Sequence, residues 1–98
     1  MTGTTRSSND LDVRRRKALF RSWHRGTREM DLVLGRFADA RIAEMSDEDL
    51  GDFELLMEAP DRDLFAWLTG SIDTPANYDT SVYRQVRDFY AADGSGRL

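Results

Sequence analysis

From Leu11 to Ala92 the apolar residues return every three or four positions, and no stretch shows the strict alternation of a half-buried strand. A chain patterned this way buries its apolar stripes by packing helix against helix. A first stretch runs from about Leu11 to Arg25 with Leu19, Phe20 and Trp23 on its apolar side. A second, about Thr27 to Met45, carries Met30, Val33, Leu34, Phe37, Ala38, Ile42 and Met45 as one stripe. Leu50, Phe53, Leu56 and Met57 form the inner face of a third, and Leu64, Phe65 and Leu68 that of a short fourth over about Asp61 to Thr69, where Phe65 and Trp67 are both expected in the core. Val82, Tyr83, Val86, Phe89 and Tyr90 mark a fifth from about Thr80 to Ala92. The fold class these patterns predict is all-α, a small compact bundle of four to five short helices, with one domain over 11–92 between flexible ends at 1–10 and 93–98.

The punctuation agrees with that division. Gly26, free to take a left-handed conformation, suits the C′ position that ends the first helix. Ser46 is a good N-cap, and Asp47, Glu48 and Asp49 crowd the first turn that follows, where negative charge is favoured. They lack the ligand alternation, glycine and closing glutamate of a calcium loop. Pro60 disfavours helix at Ala59 and fits the first turn of the fourth helix, and Gly70 stops it. Gly35, inside the second stripe, costs about 1 kcal/mol relative to alanine and predicts the close approach of a neighbouring helix. Ser71 to Asp79 is a connecting loop.

Composition narrows the function classes. The chain has no cysteine, which excludes disulfides, thiolate metal sites and a cysteine nucleophile. Its one histidine, His24, has no second histidine to share a metal and reads as a cation at a helix end. There is no P-loop and no glycine fingerprint after a strand. No run approaches the 18 or so apolar residues of a membrane span, and the first dozen residues lack an apolar core or an arginine-rich leader pattern, so a cytoplasmic protein without membrane insertion is expected. What remains is a binding module and not an enzyme, with no metal and no cofactor held stably by the chain.

Its charge is unevenly placed. Through residue 30 there are eight basic side chains against three acidic, a net of +5, which with −4 overall leaves −9 on the remainder. Such a dipole steers encounter with a complementary surface. The run Arg14-Arg15-Arg16-Lys17 could be a solvated face, a surface for a partner protein or a phosphate-binding run, but its charges spread around a helix and the acidic body repels a polyanion. A protein partner is expected, not nucleic acid, with Arg14 and Arg15 taking part.

The most distinctive segment is Arg25-Gly26-Thr27-Arg28-Glu29, which places charges of both signs at the junction of the first two helices. From residue types alone Glu29 reads equally well as a first-turn carboxylate and as an interface residue. Arg25-Gly26-x-x-Glu29-Met30-Asp31, followed by Leu55-Leu56 and Ala59-Pro60-Asp61-x-Asp63-Leu64-Phe65-x-Trp67-Leu68, resembles the flavinylation-factor family, called SdhE in bacteria and succinate dehydrogenase assembly factor 2 in mitochondria. The resemblance covers about residues 14 to 90. It departs from common members at His24, where a basic residue is frequent, and at Thr27, where methionine is frequent.

The resemblance implies a factor that binds the flavoprotein subunit of succinate dehydrogenase, and often of fumarate reductase, and promotes covalent attachment of the partner's FAD; the free chain is expected to be a monomer. The linking chemistry is attributed to the flavoprotein. Carried across residue by residue, the motif puts Arg25, Gly26 and Glu29 at the centre of the contact surface with Asp31 beside it. Arg25 offers planar bidentate bonds, Gly26 allows close backbone approach and Glu29 supplies a charged acceptor.

Overall fold

Helices begin and end in this chain where capping atoms are available. The structure, a computed structural model, describes residues 10–93, so the expected flexible ends lie almost wholly outside the described residues. Five α-helices follow one another, with no strand among the described residues: α1 (Val13–Ser22), α2 (Arg28–Arg41), α3 (Asp47–Leu56), α4 (Asp61–Thr69) and α5 (Ser81–Asp93). One-turn 3-10 segments sit at Ile42–Glu44, after α2, and at Ala76–Tyr78, in the loop before α5. The all-helical reading holds, and α4 has the bounds read from its sequence.

The caps explain the departures. The Ser46 hydroxyl accepts the Asp49 amide at 3.1 Å, as expected of an N-cap. Gly70 ends α4 in the left-handed region, with φ of 82°. Pro60 stands at the N-cap of α4, one position earlier than the first turn. α1 closes at Ser22, because the amides of Trp23 and His24 turn back to Phe20 O and Arg21 O at 3.1 and 3.2 Å. Gly26 therefore lies beyond the C′ position assigned to it. Its φ of 104° still calls for glycine.

Packing gathers the helices around Phe37, which meets Phe53 of α3 and Phe89 of α5, each with ring centroids 5.7 Å apart. α1 lies against α2, while α5 packs on both α2 and α3. Buried Tyr83 keeps its hydroxyl satisfied, accepting from Thr74 Oγ1 at 2.8 Å. The close approach foreseen at Gly35 is made by Trp23: a Cβ built on Gly35 would lie 2.3 Å from the indole Cδ2, an impossible contact. The indole N–H, meanwhile, donates to Asp39 Oδ1 at 3.2 Å, so the ring is held at its edge as well as on its face. Gly35 is thus the cost of seating the end of α1 directly on the α2 backbone.

Two aromatic assignments need correction. Phe20 was expected inward and is 62% exposed. Ala18, Leu19, Ser22 and Trp23 occupy the inward stripe, and at about 100° per residue Phe20 is turned away from it. Phe65 is half-buried instead of buried, meeting Tyr90 edge to face at 6.4 Å, because Leu64, Trp67 and Leu68 hold the inner side of α4. Trp67 is buried as expected and packs on Tyr78 with centroids 4.9 Å apart. No helix among the described residues is long and apolar enough to cross a membrane.

Candidate functional site

The turn between α1 and α2 is fastened at three points. On one side sits Trp23, clamped over Gly35. On the other, Thr27 caps α2, its hydroxyl accepting the Met30 amide at 3.2 Å. Between them the Asp31 carboxylate, one turn into α2, reaches back to accept the Arg25 amide at 2.6 Å. A carboxylate in the first turn faces exactly the unpaired amides that the helix N-terminus and the incoming chain present, which is why Asp31 can hold the turn from inside α2.

The Arg25 side chain leaves this turn and crosses to the joint between α3 and α4. Its guanidinium donates to Met57 O at 2.6 Å and Ala59 O at 2.8 Å, the carbonyls left over where α3 ends and Pro60 prevents its continuation. It also pairs with Asp61 Oδ1, through Nε at 2.9 Å and Nη2 at 2.7 Å. The side chains of Arg25 and Asp61 are only 10% and 22% exposed. The acceptors of the Arg25 guanidinium are all groups of this same chain, and both of its contacts with Asp61 are to the one oxygen Oδ1. Arg25 and Asp61 are 36 residues apart, so the two halves of the sequence pattern, the Arg-Gly segment and the Pro-Asp segment, meet in one ion pair.

What this framework holds outward is Gly26, Thr27, Arg28 and Glu29, all exposed. A Cβ on Gly26 would meet nothing within 4 Å, so the backbone there is open to approach. Glu29 makes no hydrogen bond or ion pair among the described residues. It sits in the first turn of α2 without capping it, since Thr27 does that. The junction thus separates into parts that brace it (Arg25, Asp31, Thr27) and parts it presents (Gly26, Arg28, Glu29). Asp61, Thr27 and Arg28 were absent from the residues expected at the site. Asp61 stood in the quoted motif with no role of its own, and the signal for the cap was Thr27 itself, a capping residue type just ahead of the apolar stripe that begins at Met30.

The basic residues of α1 divide in the same way. Arg14 grips Glu54 of α3, from Nε at 3.1 and 3.2 Å and from Nη2 at 2.8 Å. Arg15 donates to the Ile42 and Met45 carbonyls in the segment that joins α2 to α3, to Asp12 at 3.0 Å and to Asp47 at 3.4 Å. These hydrogen bonds hold Glu54 and Asp12 below the usual carboxylate range and raise the two arginines in turn. Arg21 pairs with Glu58 at 2.8 Å. Arg14 and Arg15 are therefore drawn toward α3 and away from the turn, while Arg16 and Lys17 extend into solvent without a carboxylate among the described residues. No group of three acidic or histidine side chains able to hold a metal occurs among the described residues.

Comparisons with known proteins cover most of this chain. Succinate dehydrogenase assembly factor 2 of Dictyostelium discoideum is 33% identical over 88 residues, 90% of this chain and 62% of the relative. The FAD assembly factor SdhE of Acetobacter pasteurianus is 38% identical over 80 residues, covering 82% of this chain and 73% of the relative. The mitochondrial assembly factor 2 of Debaryomyces hansenii is 35% identical over 68 residues, of which the chain spans 48% of the relative's length. The family model described as flavinator of succinate dehydrogenase matches residues 16–90, from within α1 to Tyr90 in α5 and across both partners of the Arg25–Asp61 pair. The chain belongs to that family, the flavinators of succinate dehydrogenase.

Proposed function

We propose that this chain is an assembly factor that binds the flavoprotein subunit of succinate dehydrogenase and promotes covalent attachment of FAD to it. Family membership supports the reaction served, and one observation supports the site: Gly26 and Glu29 stand exposed and uncommitted on a turn braced from three directions. A rigid turn with an open glycine and an unpaired carboxylate presents a docking surface at low entropic cost. Gly26 and Glu29 are the contact residues of this proposal, and Arg25 and Asp31 fix their position. Arg14 and Arg15 contribute to the positive field of α1 and to its attachment to α3, so their part is in encounter. The factor is monomeric when free and is not an enzyme: bond formation takes place on the flavoprotein, and this chain holds the subunit in a competent arrangement. The flavoprotein of fumarate reductase is a second partner of the same kind, nucleic acid is not a partner, and the factor acts in the cytoplasm.

Replacing Glu29 by alanine separates docking from folding. Loss of a favourable first-turn charge costs only about 0.3 to 1 kcal/mol, so the variant stays folded. Removal of a central contact is expected to lower covalent flavin on the dehydrogenase subunit by about tenfold or more. The measurement is flavin fluorescence of that subunit in a denaturing gel, from cells carrying the variant in place of wild type. Normal covalent flavin with a folded variant would reduce Glu29 to a helix-start residue.

A further inference from the structure

The outer face of α1 is a feature that neither the core nor the braced turn accounts for. Val13, Arg16, Lys17 and Phe20 recur at i, i+3, i+4 and i+7, which places them on one side of the helix, with Arg21 at the margin of the same shallow groove. Val13 is 55% and Phe20 62% exposed. Two exposed apolar side chains, Val13 and Phe20, on one face of a helix form an apolar patch that calls for a cover. The His24 ring stacks on Phe20 with centroids 3.8 Å apart and planes 15° from parallel, and its Nδ1 lies 2.7 Å from Phe20 O. The stack ties the Phe20 ring to His24, the residue that precedes the Arg25-Gly26 turn.

Resting on the function proposed above, we infer that this ridge is a second docking element for the flavoprotein subunit, receiving a surface on which an apolar pocket for Phe20 is flanked by carboxylates. Three observations select that occupant. The ridge is apolar at its centre with Arg16 and Lys17 beside it, the pattern of an interface anchor with a charged rim. Its other cations are spoken for: Glu54, Asp12 with Asp47, and Glu58 neutralise Arg14, Arg15 and Arg21, leaving too few phosphate contacts for a nucleic-acid face. Two copies pairing through the ridge by a twofold axis would set Arg16 and Lys17 against their own equivalents, which repels. The ridge is also tied to the turn, since the His24 ring that stacks on Phe20 belongs to the residue just before Arg25-Gly26, which favours the partner that docks on the turn.

The test uses the full chain and the purified flavoprotein subunit, with affinity and melting temperature measured for Phe20→Ala, for Arg16→Glu with Lys17→Glu, and for Glu29→Ala. Phe20→Ala is expected to weaken binding by about tenfold without lowering the melting temperature, because the ring lies outside the core. The charge reversal is expected to slow association by an amount that shrinks as salt rises. If Phe20→Ala does lower the melting temperature, the charge reversal decides, and unchanged association then overturns the inference. Phe20→Ala binding within about twofold of wild type while Glu29→Ala fails to bind would remove the ridge and leave the proposed function intact. A wild-type chain that does not bind the flavoprotein would remove both. Tight binding of a duplex DNA probe that is lost on charge reversal, or a dimer in sedimentation that Phe20→Ala dissolves, would assign the ridge to another occupant and overturn the inference.

Discussion

Arg25→Ala is expected to lower the stability of the domain by about 2–4 kcal/mol, somewhat less than breaking a fully buried ion pair from one side, because the pair is partly buried. The guanidinium serves two backbone carbonyls and one carboxylate at the α3–α4 joint, all within 3 Å, and the Arg25 side chain is 10% exposed. Without it Met57 O and Ala59 O lose their donors and Asp61 keeps a charge that is only partly hydrated. The turn also loses its tie to the opposite side of the bundle, so Gly26 and Glu29 are no longer held in place. Denaturant unfolding of Arg25→Ala, Asp61→Ala and the double variant measures this directly. The pair should couple, with the double variant losing less than the two single losses together. Arg25→Ala within about 1 kcal/mol of wild type would show that the guanidinium does not clamp the joint. Weak flavinylation by an Arg25 variant reports the loss of that scaffold, whereas the same loss in Glu29→Ala reports the surface.

Trp67→Ala is expected to cost a comparable amount, about 3–5 kcal/mol, through the cavity it leaves beneath α4. Trp67 is 8% exposed and lies on Tyr78, which closes the loop leading to α5. Removing the indole strips one wall from Tyr78 and loosens the approach to α5, whose Tyr83 and Val86 reach the centre of the core. Trp67→Phe keeps an aromatic surface and should recover much of the loss. Thermal unfolding of both variants checks this, and Trp67→Ala melting at the wild-type temperature would contradict its place in the core.

Helix number, the Ser46 cap and the span of α4 were legible because each depends on residues near one another in the chain, and the close approach at Gly35 was legible because a glycine inside a helical stripe needs a packing reason. Phe20 was misread for a geometric reason. The inward stripe of α1 is already filled by Ala18, Leu19, Ser22 and Trp23, two of them small or polar, and apolar residue type alone does not reveal that Phe20 has been rotated out. The early closure of α1 was hidden too, since it arises from a turn of tightened backbone bonds that no side chain announces. At the site, the segment from Arg25 to Glu29 was recognisable as a unit, while the division of labour inside it was not. Arg25 finds two of its acceptors on the backbone of a joint formed 32 and 34 residues later, and backbone carbonyls carry no residue-type signal. Its third acceptor, Asp61, has an equally good local explanation as a first-turn carboxylate of α4, which masked the long-range one.

The central claim is that this chain promotes flavin attachment by binding the flavoprotein subunit. The direct measurement combines purified flavoprotein subunit and free FAD with and without the full chain, following covalent flavin over time by fluorescence of the denatured subunit. The account predicts a faster and more complete appearance of covalent flavin when the folded chain is present, with the chain recovered in complex with the subunit. Equal rates and equal yields with and without it, and no complex, would contradict the account.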